Sequence, residues 1–355
     1  MRVLITGATG LVGNNCLRHL HASPSPEMEA AEDRSGVQGA AANELHVLVR
    51  AGHDERPFAD LEPAPQRHVG DLGKPDQLEA LLAPLLPSVD AVIHSAGDTH
   101  IGKQPRPIQQ TINVEATSKL AHLSRQHDCR FVFVSSVDAL PAGAPDRFVD
   151  ESSVEEQEAS PKYPCGYVET KRAAEAAVLH EINAGLDGFI VNPGFMLGPW
   201  DWKPSSGRML LEVATKFTPF GPWGGYSVCD IREVAAAICR IAVEGSKTAG
   251  HRRYILAGNN IRYIDAWRVF AEVSGGSKPI CPAGPLMRVA AGWWGDWMAK
   301  ITGKEGDVNS AGIGMSDLFH YYDSSRAEND LGYRIRPVEE SSKAAWDWFR
   351  EHGYA

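Results

Sequence analysis

Tyr167 and Lys171 are spaced for joint acid–base chemistry. Side chains four residues apart on a helix lie on the same face, so the phenol and the ammonium group would be neighbours. An isolated tyrosine has a pKa of about 10, which is too high for ready proton exchange near neutral pH. A nearby lysine cation, together with the positive charge of a bound cofactor, would stabilise the phenolate and lower that pKa. The pair is a candidate proton donor, although the same spacing often occurs by chance on helix surfaces.

A glycine-rich turn near the start of the chain is the second chemical signal. It lies between a predicted strand and a predicted helix, which is where a dinucleotide-binding loop lies. Gly7 would permit the tight turn, Gly10 would let the backbone approach a pyrophosphate, and Gly13 would allow close helix packing. The helix N-terminus would offer N–H groups and a partial positive charge to phosphates. The residues expected to bind the cofactor here are Gly7, Thr9, Gly10, Leu11, Val12 and Gly13.

The elements that must position these groups alternate along the chain. Continuous apolar runs are typical of strands buried on both faces of a parallel sheet. They occur at Val3–Thr6, Leu45–Arg50, Ala91–His94 and Phe131–Ser135. Helical patterns are found at Gly13–His21, Pro75–Leu86, Thr111–His127 and Tyr167–Ala184. This alternation predicts an α/β fold built on a doubly wound parallel sheet.

The chain divides into a dinucleotide-binding domain of the Rossmann type and a smaller, irregular substrate-binding layer, where Gly, Pro and Trp become dense. The expected boundaries are 1–192 and 226–260 for the dinucleotide-binding domain, 193–225 and 261–335 for the substrate-binding region, and 336–355 for a closing helix. Residues 22–43 are polar, have no apolar periodicity and fall where a short connection is usual. We expect them to form a surface insertion.

The order of further motifs resembles the extended short-chain dehydrogenase/reductase superfamily, which includes the NAD-dependent epimerase/dehydratase family. After the G-x-x-G-x-x-G turn the motifs are Gly70-Asp71-Leu72, His94-Ser95-Ala96-Gly97, Asn113–Thr117, Ser135-Ser136, Tyr167–Lys171 and Asn192-Pro193-Gly194. This ordered set spans nearly the whole chain and is far more specific than any one motif. Gly194–Pro199 and Asp330–Tyr333 resemble the dihydroflavonol-reductase-like and sugar-epimerase-like branch.

The resemblance implies a role for each of these residues. Tyr167 would be the general acid or base, Ser136 would hydrogen-bond the substrate oxygen, and Lys171 would also hold the nicotinamide ribose. Asn113 would orient the lysine, through water or through main-chain geometry. The remaining cofactor contacts would come from Asp71, Leu72, Ser95, Ala96, Gly97, Tyr167, Lys171, Pro193 and Gly194. The helices at Thr111–His127 and Tyr167–Ala184 would pair in a homodimer.

The end of the second strand favours NADP over NAD. NAD-binding proteins usually place an acidic residue there to accept from the ribose hydroxyls. This chain has Arg50, whose cation suits the extra phosphate of NADP. NAD is the alternative, because the insertion before the strand leaves its register open and Arg50 would then be a solvated strand end.

These residues predict an NAD(P)-dependent oxidoreductase that transfers hydride between nicotinamide and a ketone or secondary alcohol. A nucleotide-sugar epimerase or dehydratase that retains NAD is the first alternative. Dehydration is disfavoured, because Val137-Asp138 after Ser136 is an incomplete form of the Asp-Glu pair of the family's dehydratases. A cofactor-sensing binding protein without activity is an alternative of a different class. The intact set of Ser136, Tyr167 and Lys171 disfavours it.

Two groups of residues bear on the substrate. Six tryptophans in the smaller layer, if they line a pocket, would suit a planar or apolar carbonyl compound, although for any one of them a place in a core is the stronger expectation. They are Trp200, Trp202, Trp223, Trp293, Trp294 and Trp297. Lys203 and Arg208 could instead meet a diphosphate, which keeps nucleotide sugars open as substrates.

Composition excludes other classes of partner. A formal charge of −10 disfavours nucleic acid, which needs clustered basic residues. The six cysteines form no C-x-x-C pair, so neither a metal site nor a disulfide framework is expected. The chain opens directly on a strand, without the pattern of a signal peptide, and no apolar segment is long enough to span a membrane. We therefore expect a cytoplasmic protein with no membrane partner.

Overall fold

A parallel sheet of seven strands lies at the centre of the computed structural model, which describes residues 1–22, 43–156, 164–248, 250–302, 306 and 309–355. The strands are β1 (Arg2–Thr6), β2 (Glu44–Val49), β3 (Gln66–Val69), β4 (Ala91–His94), β5 (Arg130–Val134), β6 (Gly188–Pro193) and β10 (Arg253–Leu256). Their spatial order is β10-β6-β5-β4-β1-β2-β3. From β1 the strands continue to one side through β2 and β3, and from β4 they continue to the other side through β5 and β6. The crevice at such a reversal is where α/β sheets bind ligands.

Helices cover both faces of this sheet and bury its apolar side chains. They are α1 (Leu11–Ala22), α2 (Pro75–Leu82), α3 (Pro107–Gln110), α4 (Ala116–Gln126), α5 (Glu151–Glu156), α6 (Gly166–Asn183) and α8 (Ile231–Glu244). Leu17 of α1 and Ile238 of α8 share one core cluster with Ile5 of β1. On the other face, Leu120 of α4 and Val178 of α6 pack in a second cluster. The predicted doubly wound α/β fold is confirmed.

The predicted helix Thr111–His127 has a different internal structure. It continues from α3, which begins at Pro107, and Thr111–Glu115 forms a π-helical turn before α4. Such turns are rare and often occur at functional sites. Asn113 lies inside this turn and is buried. Apolar periodicity alone does not reveal the extra residue that a π turn inserts.

The smaller layer is more regular than the sequence predicts. Its strands are β7 (Phe195–Leu197), β8 (Phe220–Gly221), β9 (Gly225–Asp230), β11 (Asn259–Arg262) and β12 (Cys281–Pro282). Its helices are α7 (Gly207–Thr215), α9 (Tyr263–Ser274), α10 (Pro285–Thr302), α11 (Ser310–Ser316) and α13 (Val338–Glu351), whereas α12 (Ser325–Leu331) packs on β10 and α8 of the main sheet. β9 pairs with β7 and β11 in a three-stranded sheet, so the range 226–260 is shared between the two layers.

Other sequence expectations differ in their boundaries. β2 ends at Val49 and β5 ends at Val134, one residue before the predicted ends, so Arg50 and Ser135 lie just beyond their strands. β3 was not expected, because its sequence, Gln66–Val69, is polar and lies at the sheet edge. Most of the expected insertion, residues 23–42, lies outside the described residues.

Candidate active site

Ser136, Tyr167 and Lys171 come together beyond the carboxyl end of β5. Tyr167 and Lys171 lie in the first two turns of α6, and both are almost completely buried. The Ser136 side chain faces the Tyr167 phenol closely enough to lower the pKa of that group. The Lys171 ammonium group donates to the carbonyl of Val134, at 3.0 Å. The hydroxyl of Ser135 has no hydrogen-bond partner in the described part of the chain.

The position of Tyr167 depends on how α6 begins. The amide of Gly166 donates to the carbonyl of Gly102, at 2.8 Å. A Cβ atom on Gly166 would lie 2.4 Å from the carbonyl carbon of Gln104 and from the nitrogen of Pro105. Only glycine allows this close approach, so it fixes the start of the helix against the loop that follows β4.

The electrostatics of Tyr167 differ from the sequence expectation. Burial raises the pKa of Tyr167 above its usual value, and the Asp138 carboxylate raises it further, whereas the Ser136 hydrogen bond opposes the rise. Lys171 is not among the groups that determine this shift, and its ammonium group donates to the Val134 carbonyl. Burial also lowers the pKa of Lys171 to about 8. The expected lowering is ascribed to the lysine and the cofactor's positive charge together, and the lysine alone does not produce it, so without cofactor Tyr167 keeps its proton at neutral pH.

Asp138 and His320 extend the polar cluster beyond the expected residues. The Ser136 hydroxyl donates to Asp138 Oδ2, and the Asp138 amide donates back to Ser136 Oγ, both at 3.1 Å. His320 Nδ1 lies 3.5 Å from Asp138 Oδ1. The Tyr322 hydroxyl donates to the carbonyl of Val137, at 2.9 Å. His320 and Tyr322 carried no sequence signal, since they follow α11, far along the chain from Ser136.

Asn113 does not contact Lys171. Its side-chain oxygen accepts from the Asp98 amide at 2.7 Å, and its nitrogen donates to the Asp98 carbonyl at 2.9 Å and to Thr170 Oγ1 at 3.1 Å. Asn113 thus joins the loop after β4 to α6 at the residue before Lys171. Gly97 lies between the side chains of Asn113 and Lys171, since a Cβ on Gly97 would be 3.3 Å from Asn113 Oδ1 and 3.6 Å from Lys171 Nζ.

The glycine turn has the geometry of a dinucleotide cradle. Gly7 has a φ of +73°, and a Cβ on it would lie 2.7 Å from the Ala96 nitrogen. A Cβ on Gly13 would lie 2.5 Å from the Gly7 carbonyl oxygen, so α1 packs closely against the turn. A Cβ on Gly10 would meet only that oxygen, at 3.4 Å, which leaves its backbone open to a ligand. Leu11 and Val12 begin α1, where amides lack helical acceptors. These features fit a pyrophosphate.

The other expected cofactor residues surround the same crevice. Ser95 Oγ donates to the Thr6 carbonyl at 2.7 Å, which ties the ends of β4 and β1 together. Leu72 packs partly against the core, and the exposed Asp71 accepts from the Gly73 amide at 2.9 Å. The residues that remain lie at strand ends or in the turn itself: Thr9 in the glycine turn, Ala96 after β4, and Pro193 and Gly194 at the end of β6.

Arg50 lies at the end of β2 with an exposed side chain. Within the described ranges it makes no ion pair, whereas the nearby acidic groups are engaged. Asp54 pairs with Arg56 at 2.7 Å, and Glu55 pairs with Arg67 at 2.9 Å. The end of β2 therefore presents a free cation rather than a free carboxylate.

The tryptophans do not form the expected lining as a group. Trp200 and Trp202 pack on Trp348 of α13, with ring centroids 6.1 and 5.0 Å apart, in the core of the smaller layer. Trp223 is partly exposed beneath the guanidinium groups of two arginines. The three on α10, Trp293, Trp294 and Trp297, point into solvent. Lys203 and Arg208 are also exposed.

In the part of the chain that the structure describes, no cluster of three or more His, Cys, Asp or Glu side chains could hold a metal ion. No described helix combines the length and apolar character needed to cross a membrane. All six cysteines are free thiols, and five of them are buried.

Similar proteins share the whole fold. A protein from Synechocystis sp. named dihydroflavonol 4-reductase is 28% identical over 99% of this chain and 95% of its own. Sterol demethylase protein B of Methylococcus capsulatus is 28% identical over 99% of each chain. The crystal structure of gox2253 is 30% identical, with a TM-score of 0.76 over 99% of this chain and 98% of that one. The sequence model of the NAD dependent epimerase/dehydratase family matches residues 3–257. The chain therefore belongs to the NAD dependent epimerase/dehydratase family, as its motifs had indicated.

Proposed function

We propose that this protein is an NADP-dependent oxidoreductase that interconverts a ketone and a secondary alcohol. The observation that carries the proposal is the convergence of Ser136, the buried phenol of Tyr167 and the buried Lys171 at the end of β5, beside the glycine cradle. The names of the two relatives, dihydroflavonol 4-reductase and sterol demethylase protein B, support a ring-containing substrate with apolar surface.

The side chains of this site provide for proton transfer. A bound nicotinamide cofactor would supply or accept the hydride. Ser136 and Tyr167 donate hydrogen bonds to the substrate oxygen, where negative charge develops during reduction. Because burial raises its pKa, Tyr167 holds its proton at neutral pH and gives it to that oxygen. Lys171, held by the Val134 carbonyl, is placed to bind the ribose of the nicotinamide.

Turnover assays distinguish this activity from the alternatives. We expect the purified protein to oxidise NADPH in the presence of apolar ketones, with one alcohol formed per NADPH consumed. Epimerisation of a nucleotide sugar without net consumption of cofactor would contradict the proposal. So would the binding of cofactor without turnover of any carbonyl compound, as expected for a sensor.

Asp138→Asn should move the pH dependence of alcohol oxidation toward lower pH, by about one unit. The carboxylate of Asp138 raises the pKa of Tyr167, so its removal lets the phenolate that oxidation needs form at a lower pH. Reduction, which needs the phenol, should lose activity at a lower pH for the same reason. Initial rates measured across the pH range give both limbs. Asp138→Glu keeps the charge and should leave both limbs of the pH profile in place. An unshifted pH profile for Asp138→Asn would contradict the effect of the Asp138 carboxylate on Tyr167.

Arg50→Ala should weaken NADPH binding by about 10- to 100-fold and leave NADH binding nearly unchanged. The reason is the loss of a free cation at the end of β2, next to the expected position of the 2′-phosphate. Fluorescence titration with both nucleotides gives the two dissociation constants. Arg56→Ala is the matched control, because that guanidinium is already bound by Asp54. Equal losses for NADPH and NADH in Arg50→Ala would remove the basis for NADP selectivity.

We further propose that α4 and α6 pair across a twofold axis in a homodimer. The two helices lie side by side and are joined by an ion pair between Arg125 and Glu181, at 2.6 Å. The partly exposed Leu179 of α6 supplies apolar surface for a partner.

The free thiols support action in a reducing, cytoplasmic compartment.

A further inference from the structure

Helix α10 carries its apolar side chains toward solvent. Leu286 is 88% exposed and Trp293 is 75% exposed. The side chains that stand out in this way form an apolar patch: Leu286, Val289, Trp293, Trp294, Trp297 and Ile301. Successive helix positions differ by about 100°, so these six side chains lie within an arc of about 140° on the helix circumference. The arrangement is the reverse of an ordinary surface helix, whose apolar stripe faces the core.

The polar side chains of α10 hold the helix in this orientation. Arg288 pairs with Asp317, and Asp296 pairs with Lys103 at 2.6 Å and accepts from the Ser310 amide at 3.0 Å. Gly292 is the buried residue of the helix, and a Cβ there would lie 3.2 Å from the Ser310 Cα. These contacts hold the charged face of α10 against the rest of the protein, so the apolar patch faces solvent.

The apolar patch adjoins the catalytic helix. α10 packs on α11, where Met315 contacts the Cys165 thiol at 3.4 Å, immediately before α6 begins. The Asn309 side chain donates to the carbonyl of Ile101, at 2.9 Å, in the loop that holds Gly166. The patch and the start of the Tyr167 helix therefore belong to one connected surface.

The high exposure of the patch indicates what covers it. Side chains in a groove are shielded by its walls, whereas Leu286 and Trp293 project almost free of neighbours. A protruding apolar surface of this kind suits a fluid apolar phase whose molecules can pack around it. Indole rings are also enriched where hydrocarbon meets water. Lys300, at the last turn of the helix, is the exposed charge among the described residues of α10 and can extend toward that boundary.

We propose that the apolar patch docks this protein on the surface of a lipid bilayer, with α10 lying in the interface. The sequence predicts no membrane partner because it has no spanning segment, but an interfacial helix needs none. The formal charge of −10 disfavours anionic lipid, so apolar contact drives the docking. If the proposed function holds, docking brings the site to the phase in which an apolar substrate dissolves.

Flotation with vesicles of zwitterionic phosphatidylcholine tests this proposal without any turnover. The full chain is expected to float with the vesicles at low and at high salt. Brominated lipid should quench part of its tryptophan fluorescence. The variant with Trp293→Ser, Trp294→Ser and Trp297→Ser should partition about 100-fold less. Ile335→Ser, which removes an exposed apolar side chain elsewhere, is the control and should float like the parent.

The remaining outcomes overturn the proposal. A parent protein that stays in solution has no bilayer-docking surface. If, in addition, sedimentation shows that the triple variant loses a dimer, a second copy covers the patch. NADPH affinity measured on the triple variant shows that it is folded. A defect in turnover alone, with flotation intact, would count against the proposed function and not against docking.

Discussion

Tyr167→Phe is expected to lower kcat for ketone reduction by about 100- to 10,000-fold, the range for loss of a general acid. The variant keeps the ring that packs in the site and removes only the hydroxyl that contacts Ser136. The substrate oxygen then loses its proton donor, whereas the glycine cradle is untouched. NADPH binding should therefore stay within a few fold of the parent. Steady-state kinetics and nucleotide titration on the same preparation separate the two effects.

Ser136→Ala is the companion variant to Tyr167→Phe, and its smaller loss would reflect a hydrogen bond to the substrate oxygen without a proton transfer. A Tyr167→Phe enzyme with unimpaired kcat would remove Tyr167 from the reaction. Equal losses of kcat and of NADPH affinity would assign to it a structural role instead.

Gly7→Ala is expected to lower the free energy of unfolding by about 2–4 kcal/mol and to abolish tight cofactor binding. Two effects add at this position. The φ of +73° is unfavourable for any residue with a Cβ, and that Cβ would lie 2.7 Å from the Ala96 nitrogen. Relief of the clash would push apart the ends of β1 and β4, where the crevice lies. Urea denaturation and NADPH titration measure the two losses.

Gly275→Ala provides the matched control for Gly7→Ala. Gly275 has a φ of +75°, and a Cβ there would have no heavy atom within 4 Å. Its replacement should cost about 1 kcal/mol and leave NADPH affinity unchanged. Similar stability losses in both variants would show that backbone conformation, and not the close approach to Ala96, is what Gly7 provides.

The sequence was sufficient for the parts of the structure that depend on local pattern. Buried apolar strands and the glycine turn are local signals, so the central sheet and the cradle were predictable. The edge strand Gln66–Val69 was not, because its polar sequence gains strand geometry only by pairing with β2. The π turn around Asn113 was also missed, since the hydrogen bonds of Asn113 to Asp98 and Thr170 join residues that are remote in the sequence.

The electrostatics of the site depended on contacts that no spacing rule supplies. Four-residue spacing places Lys171 near Tyr167, but burial and the Asp138 carboxylate determine the direction of the tyrosine pKa shift. His320 reaches Asp138 only through the tertiary fold. The tryptophans illustrate the same limit, because composition could not separate Trp202 in the core from Trp293 in solvent.

Nucleotide binding is the decisive measurement for an NADP-dependent reductase that exchanges its cofactor in each turnover. The purified protein would be denatured and any released nucleotide identified, and the nucleotide-free protein would then be titrated with NADPH and NADH. We predict little retained nucleotide and an affinity for NADPH at least about tenfold higher than for NADH. Stoichiometric, tightly held NAD would contradict the claim and favour an epimerase. Failure to bind either nucleotide would overturn the assignment of the glycine cradle, and with it the roles of Tyr167 and Lys171.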